Sequence, residues 1–442
     1  MTERLVGLLA RPISAADRQR AALHVVDWIG CAAIGRTTES GIRIEAEAPA
    51  SDAGPAQLFG ARSSDPATAA FVLGGFGSIL EMDDVHRAAL LHPGPIVIPA
   101  ALAAARDDTR AEDFLDAVIR GYEAMIRLGS AVGPGHYAFF HNTATCGGFG
   151  AAAAAGSLLG LDEAALAAAL GNAGSVAGGL WQCRNEAVMT KTLHLAEAAR
   201  RGLVAARLAA HGFTGPRFIL EGPQGFFAAT CPGASPNDVV AGPESGWKIA
   251  ETSFKPWPAC RHAHAAIDAA LALRDKIADR PIAGIDIETY ADAKLFCDRP
   301  APETVLQAKF SLQHAVAVTL SDGPPPLAAF DLPALGRPDL AALREVATVA
   351  ASARFTAPYP RHFGSAVAVR LTSGETLSHS VADAWGDTEN PVSDAALLAK
   401  AHALMQAAGL GRAQAEALVH SALSLAEGGT LAPFRNAMAK AA

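Results

Sequence analysis

Cysteine is scarce in this chain and never clustered. The six residues Cys31, Cys146, Cys183, Cys231, Cys260 and Cys297 come no closer than 260 − 231 = 29 positions. That spacing excludes a CxxC pair, and with it the common zinc, haem and dithiol motifs, and it suits a reduced cytoplasmic chain. Charged residues are few at 18%, no run of Lys or Arg occurs, and the net charge is 36 − 44 = −8. A phosphate-backbone binder needs a basic face, so nucleic acid is excluded as a partner. Neither an HExxH zinc helix nor a GxxxxGK[ST] phosphate loop is present. The first twenty residues carry Glu3 and an Arg11-Pro12 interruption where an export signal needs an unbroken apolar stretch. The longest span without a formal charge, Leu128 to Leu161, is broken by Pro134, several glycines and two histidines, and reads as buried protein rather than a membrane span.

What is present is a long, half-hydrophobic chain of 442 residues. Single cores stop growing at roughly 250–300 residues, so at least two domains are expected. Up to about residue 260 the pattern is helical and rich in alanine, whose small side chain lets helices approach closely. Ser14 followed by Asp17 reads as a capping box opening a helix to Ile34. Further helices are expected at Ile96 to Ala105, Glu112 to Leu128, Gly148 to Leu159, Glu163 to Leu170 and Thr190 to Ala210. The period then changes. Ile285 to Tyr290 alternates as a half-buried strand, and Ala366 to Thr372 with Glu375 to Val381 forms a hairpin around Ser373-Gly374. Helices are expected near Phe310 to Leu320 and Asp339 to Ala350, and again from Ser393 to Leu404 and Arg412 to Leu425. The fold class expected is mainly α with an α+β insertion: a large helical domain over residues 1–262 and 392–442, and a smaller α+β lid domain over residues 263–391.

Polar residues gather in five apolar settings. Glu81-Met82-Asp83-Asp84-Val85-His86-Arg87, followed by His92-Pro93, packs carboxylates, histidines and a cation into twelve residues, a costly set to bury unless its members serve each other or a ligand. On a helix, Glu81 and Asp84 would share a face. His136 reads equally as a core residue, whereas His141 precedes Asn142-Thr143 at a helix entry that favours an anion. Lys191 and His194, three apart, share a helix face, with Glu197 one turn further. Lys255-Pro-Trp-Pro-Ala-Cys260-Arg261-His262-Ala-His264 is extended by its prolines, so that Cys260, Arg261 and His264 face one way from the first helical turn. Lys309-Phe310-Ser311 leads to His314 in the insertion. GGFGAAAAAG from Gly147 has no preceding strand and reads as a close helix contact rather than a dinucleotide loop. Cations, carboxylates and histidines without a redox motif suit proton abstraction beside a carboxylate.

At these residues the chain resembles the MmgE/PrpD family, which includes 2-methylcitrate dehydratase, cis-aconitate decarboxylase and iminodisuccinate epimerase. The resemblance rests on EMDDVH with His92-Pro93, the His141 segment, Met189-Thr190-Lys191 with HLAEAARRG, Lys255-Pro-Trp-Pro-Ala-Cys, Phe310-Ser311, and Gly386-Asp387 with Asn390-Pro391-Val392-Ser393. It implies a homodimer with a pocket between a helical domain and a lid, no cofactor, no metal, and a small polycarboxylate as substrate. Family active-site positions fall on Asp84, His92, His141, Lys191 and Lys255. Four positions depart from the decarboxylase branch, which has Asp at Glu81, Thr at Val85, His at Cys260 and Tyr at His314. The expected activity is that of a lyase, by dehydration or decarboxylation, with His92 or His141 as base or acid and Asp84 orienting a histidine. Lys191, Lys255 and Arg261 would clamp carboxylates, with Glu81, His264 and His314 lining the site and Cys260 as a further acid–base group. The alternatives are epimerisation beside a carboxylate and a catalytically silent helical binding protein.

Overall fold

The computed structural model describes residues 1–48, 54–60, 62–186 and 188–441. They form two compact units, one of residues 1–79, 83–252 and 393–442, the other of residues 80–82 and 253–392.

The first unit is helical. Helix α1, Ala15–Thr37, opens on Ser14, whose hydroxyl accepts from Asp17 N–H while the Asp17 carboxylate accepts from Ser14 N–H, the reciprocal cap that the sequence signals. Its residues from Ala21 to Gly35 are almost all buried, because a helix apolar all round belongs inside a bundle. Around it pack α2 (Pro66–Phe76), α3 (Gly94–Ala104), α4 (Ala111–Ala131), α5 (Asn142–Leu158) and α6 (Thr190–Ala210). The glycine and alanine stripe has the expected packing role. A Cβ on Gly202 of α6 would lie 2.4 Å from Ala151 Cβ and 2.4 Å from the Gly148 carbonyl oxygen of α5, and one on Gly121 of α4 would lie 2.9 Å from the Gly150 carbonyl oxygen. Backbones therefore meet at α5 with almost no side chain interposed. The last helices of the chain also belong to this unit, and Lys400 Nζ lies 2.6 Å from Asp27 Oδ1 of α1 in a buried ion pair.

The second unit packs α7 (Arg261–Ile277) and α8 (Leu312–Asp322) with a four-stranded mixed sheet. Its strands are β1 (Ile282–Thr289), β2 (Ala347–Ala351), β3 (Ser365–Leu371) and β4 (Thr376–Val381), in the spatial order β2-β1-β3-β4. The β3–β4 hairpin turns where expected, with Gly374 at φ +91°, a conformation that glycine adopts without steric cost. One expectation fails. The helix expected over Asp339 to Ala350 ends at Glu345, and Ala347–Ala351 is a strand parallel to β1, with Ile285 opposite Ala347 and Thr289 opposite Ala351. Ala347 and Val349 point inward and Thr348 outward, so burial against the sheet overrides the helical preference of alanine.

Replacing Gly202 by Val should lower stability by about 1–3 kcal/mol in urea unfolding, because the α5 backbone must move to admit the side chain. An unchanged midpoint and slope would contradict a backbone-to-backbone crossing there.

Candidate active site

The segment from Asp83 to Pro93 contains no helix, so Glu81 and Asp84 do not share a helical face. In the first unit the segment is held by the buried Asp84. Its Oδ2 lies 2.7 Å from His24 Nδ1 and accepts from Tyr122 Oη at 2.6 Å, while its Oδ1 accepts from Gly94 N–H at 2.9 Å. Gly94 opens α3, so the carboxylate also sits at the positive end of a helix. A Cβ there would lie 2.8 Å from Asp84 Oδ1 and 2.9 Å from Tyr122 Oη, which restricts the position to glycine. Burial pushes His24 down to about 4, so its ring is neutral at pH 7 and Nδ1 donates to Asp84.

His92 follows from this anchor. Its Nδ1 lies 2.9 Å from the Asp84 carbonyl oxygen and 3.0 Å from Asp83 Oδ2. A carbonyl oxygen only accepts, so Nδ1 carries the hydrogen and the neutral ring keeps its lone pair on Nε2. The side chain is 15% exposed, whereas Asp83 is buried. Asp84 meets two histidines, His24 at its carboxylate and His92 at its backbone carbonyl. The carboxylate against His92 is that of Asp83.

The Asn142 side chain donates to Ala89 O at 3.0 Å and the His92 N–H to Thr143 Oγ1 at 3.2 Å, which ties the His92 loop to the first turn of α5. His141 is the N-cap residue of that helix, its own N–H donating to Gly179 O at 2.9 Å. Its ring packs on Trp181, with centroids 4.2 Å apart, and its Nδ1 lies 3.3 Å from His194 Nδ1 on α6. Burial first, then the charges of Lys191, His194 and His92, hold His141 well below its ordinary pKa against the pull of Asp83. Lys191, half-buried in the first turn of α6, thus acts electrostatically on His141 and His194 together.

In the second unit a separate cluster forms. Lys255 is fully buried, with Nζ 3.5 Å from Glu81 Oε2. Glu81 adopts φ +58°, a left-handed conformation that costs a non-glycine residue about 1–2 kcal/mol. Lys309, two residues before the N-cap of α8, is buried beside them. Its Nζ donates to Leu80 O at 3.1 Å and Pro258 O at 3.0 Å, and it lies 5.5 Å from the Phe330 ring centroid. Burial lowers it to about 8, with Lys255 pushing the same way and Glu81 and Asp331 opposing. Cys260 is the N-cap residue of α7. Burial and Glu81 push its thiol up, but the Cys297 thiol, the His262 N–H and Lys255 bring it below its ordinary value.

Three further residues of the expected site have partners within the protein. Arg261 pairs with Asp387 and donates from Nη1 to His264 Nδ1 at 2.9 Å and to Trp385 O at 3.3 Å. His264 is fully buried, its Nε2 donating to Ala259 O at 3.0 Å. His314 donates from Nε2 to Ala329 O at 2.8 Å and accepts from Arg344 Nη1 at 3.1 Å, and burial lowers it to about 4. His136 is a satisfied core residue, bonded to Thr230 O at 2.9 Å and Thr145 Oγ1 at 2.8 Å. His24 and Tyr122 carry no motif in the sequence, whereas Asp83, His194 and Lys309 stand in its polar segments without an assigned role. For His194 the signal is its spacing from Lys191 on one helix face.

The profile of the MmgE/PrpD N-terminal domain matches residues 2–238, and that of the MmgE/PrpD C-terminal domain matches residues 257–425. The chain is 30% identical over 236 residues to the cis-aconitate decarboxylase-like protein oryM of Aspergillus oryzae, covering 50% of this chain and 49% of that protein. To the cis-aconitate decarboxylase of Homo sapiens it is 31% identical over 278 residues, 58% of this chain and 56% of that one. To that of Aspergillus terreus it is 30% identical over 272 residues, 57% and 54% respectively. The chain spans about half the length of the curated relatives it matches.

His24 gives a pH test of the anchor. Above pH 6.5 the ring is neutral in both states, whereas between 6.5 and about 4 only the unfolded chain takes up the proton. Stability contributed by the neutral ring is therefore lost as the pH falls through that window. Compared with His24→Gln, the wild-type protein should lose about 3 kcal/mol more between pH 7 and pH 4. Parallel pH profiles for the two proteins would show that His24 is not held neutral. Separately, Asp84→Ala strands three buried donors and should cost at least about 3 kcal/mol in denaturant unfolding.

Proposed function

Because the chain belongs to the MmgE/PrpD family, we propose that it is a cofactor-independent lyase that removes water or CO₂ from a small di- or tricarboxylate. The observation that carries this reading is His92: its Nδ1–H is fixed on the Asp84 carbonyl and Asp83, leaving Nε2 as a proton acceptor on a partly exposed ring. His92 removes the proton from the carbon next to a substrate carboxylate, and the electron pair left behind spreads into that carboxylate as an enediolate. Lys191 and Lys255 are the cations assigned to the substrate's acid groups, where positive charge stabilises the enediolate as it forms. Collapse of the enediolate expels hydroxide, which takes a proton to leave as water; in the decarboxylating variant no carbon proton is removed, the C–C bond breaks to release CO₂, and the electron pair it leaves takes a proton at carbon. His141, neutral through burial, is the group that supplies or receives this second proton.

The cis-aconitate decarboxylases at about 30% identity favour decarboxylation, whereas Glu81, Val85, Cys260 and His314 depart from the decarboxylase pattern and argue for a different polycarboxylate. Epimerisation of an iminodisuccinate-like dicarboxylate is the second reading. Cys260, the N-cap residue of α7, is the acid–base group assigned to that reading. A homodimer in a reduced cytoplasm is the proposed state of the protein; light scattering at twice the chain mass supports the dimer, and at one chain mass removes it.

Incubation with 2-methylcitrate, cis-aconitate and iminodisuccinate in D₂O, followed by proton NMR, separates lost water, lost CO₂ and deuterium exchange on an unchanged skeleton. A lyase predicts one of the first two, and His92→Ala should lower its rate about 10²–10⁴-fold while the protein stays folded. Full activity in folded His92→Ala would overturn the assignment of the base.

A further inference from the structure

We propose that His194 is a proton-relay residue that connects His141 to water in a side cavity, an inference that rests on His141 being the second acid–base group. Two imidazoles facing each other through the same kind of nitrogen, Nδ1 to Nδ1 at 3.3 Å, can hold only one hydrogen between them. Their tautomers are therefore linked. When His141 carries the hydrogen on Nδ1, its Nε2 is a base and His194 Nδ1 is the acceptor, so His194 carries its own hydrogen on Nε2. When the shared hydrogen sits on His194, His141 accepts at Nδ1 and carries its hydrogen on Nε2, where it is an acid. The hydrogen moving over 3.3 Å, with one proton gained at His141 Nε2 and one lost from His194 Nε2, thus switches His141 between its two roles.

The surroundings suit this exchange. His141 is buried, while His194 is half-buried and lines a cavity of about 450 Å³ together with Gly179, Leu180, Cys183, Glu197 and Arg201. Gly179 holds the pair together: its carbonyl accepts from the His141 N–H at 2.9 Å, and a Cβ on it would lie 3.6 Å from the His194 ring and 2.5 Å from Ala144 Cβ. Its φ of +131° suits glycine. The charged groups acting on His141 are Lys191, His194 and His92, opposed by Asp83; those acting on His194 are Arg201 and Lys191. These cations disfavour an imidazolium resting on either ring, so a proton arriving at one is passed on. The step balances. A proton enters at His141 Nε2, the Nδ1 hydrogen of His141 passes to His194 Nδ1, and the Nε2 hydrogen of His194 leaves to cavity water. The reverse sequence recharges His141 as an acid.

The test uses His194→Ala and His194→Gln in the full chain, with turnover of the three carboxylates above as readout. The relay predicts that kcat falls about 10²-fold or more in both variants with KM little changed. It also predicts that added imidazole restores His194→Ala at least tenfold, with a rate that depends on the pKa of the added base. His194→Gln, whose amide fills the space, should not be rescued. A kcat within twofold of wild type in His194→Ala, or a loss that imidazole does not repair, overturns the relay. His141→Gln separates the two layers: full activity there removes His141 as an acid–base group, whereas a dead His141→Gln beside a fully active His194→Ala removes the relay alone. A readout independent of turnover is the NMR titration of the His141 ring protons. The linked hydrogen predicts a changed titration in His194→Gln, and an unchanged one overturns the linkage.

Discussion

A buried carboxylate that cannot be solvated must find donors, and at Asp84 this requirement organises the first unit. Three elements meet on its two oxygens: His24 from α1, Tyr122 from α4 and the first N–H of α3. With each hydrogen bond to a charged group contributing about 1.5–3 kcal/mol, this junction holds the irregular loop from Asp83 to Pro93 in one conformation. The functional consequence passes through the backbone. Once the Asp84 side chain is pinned, its carbonyl is pinned as well, and that carbonyl decides which nitrogen of His92 bears hydrogen. Asp84 is thus a positioning residue, and the imidazole it positions is the base proposed above.

The polar clusters of the two units use burial differently. In the first unit, burial and nearby positive charge keep His141 and His194 neutral, the state in which an imidazole can both give and take a proton. In the second, Lys255 and Glu81 act on buried Lys309 in opposite senses, and Lys309 draws the backbones at Leu80 and Pro258 onto a single ammonium. Since Leu80 precedes Glu81 and Pro258 lies two residues before Cys260, Lys309 orders both neighbours of Lys255. The strained φ of Glu81 is accommodated at this same point.

Much of the scaffold was legible in the sequence because its signals are local. The Ser14–Asp17 cap, the Ser373-Gly374 turn and the helix faces of α1, α4 and α6 depend on residues within a few positions of each other. The strand Ala347–Ala351 was not legible, since its partner β1 lies about sixty residues earlier and alanine reads as helix when burial is unknown. The candidate site shows the same division. His92, His141, Lys191 and Lys255 stand in motifs whose composition announces chemistry. Arg261, His264 and His314 look equally chemical in sequence, but their hydrogen bonds go to Asp387, Ala259 O and Ala329 O, partners that only the fold supplies. Lys309 drew no role from the sequence, because the carbonyls of Leu80 and Pro258 that hold it come from distant segments.

The account turns on the hydrogen of one imidazole. Nitrogen NMR of the neutral His92 ring, assigned by its loss in His92→Gln, reads the tautomer directly. Hydrogen on Nδ1, with an unprotonated Nε2 whose signal moves when a polycarboxylate is added, is the predicted result. Hydrogen on Nε2 in the neutral ring would contradict the anchoring by Asp84 and remove His92 as the base.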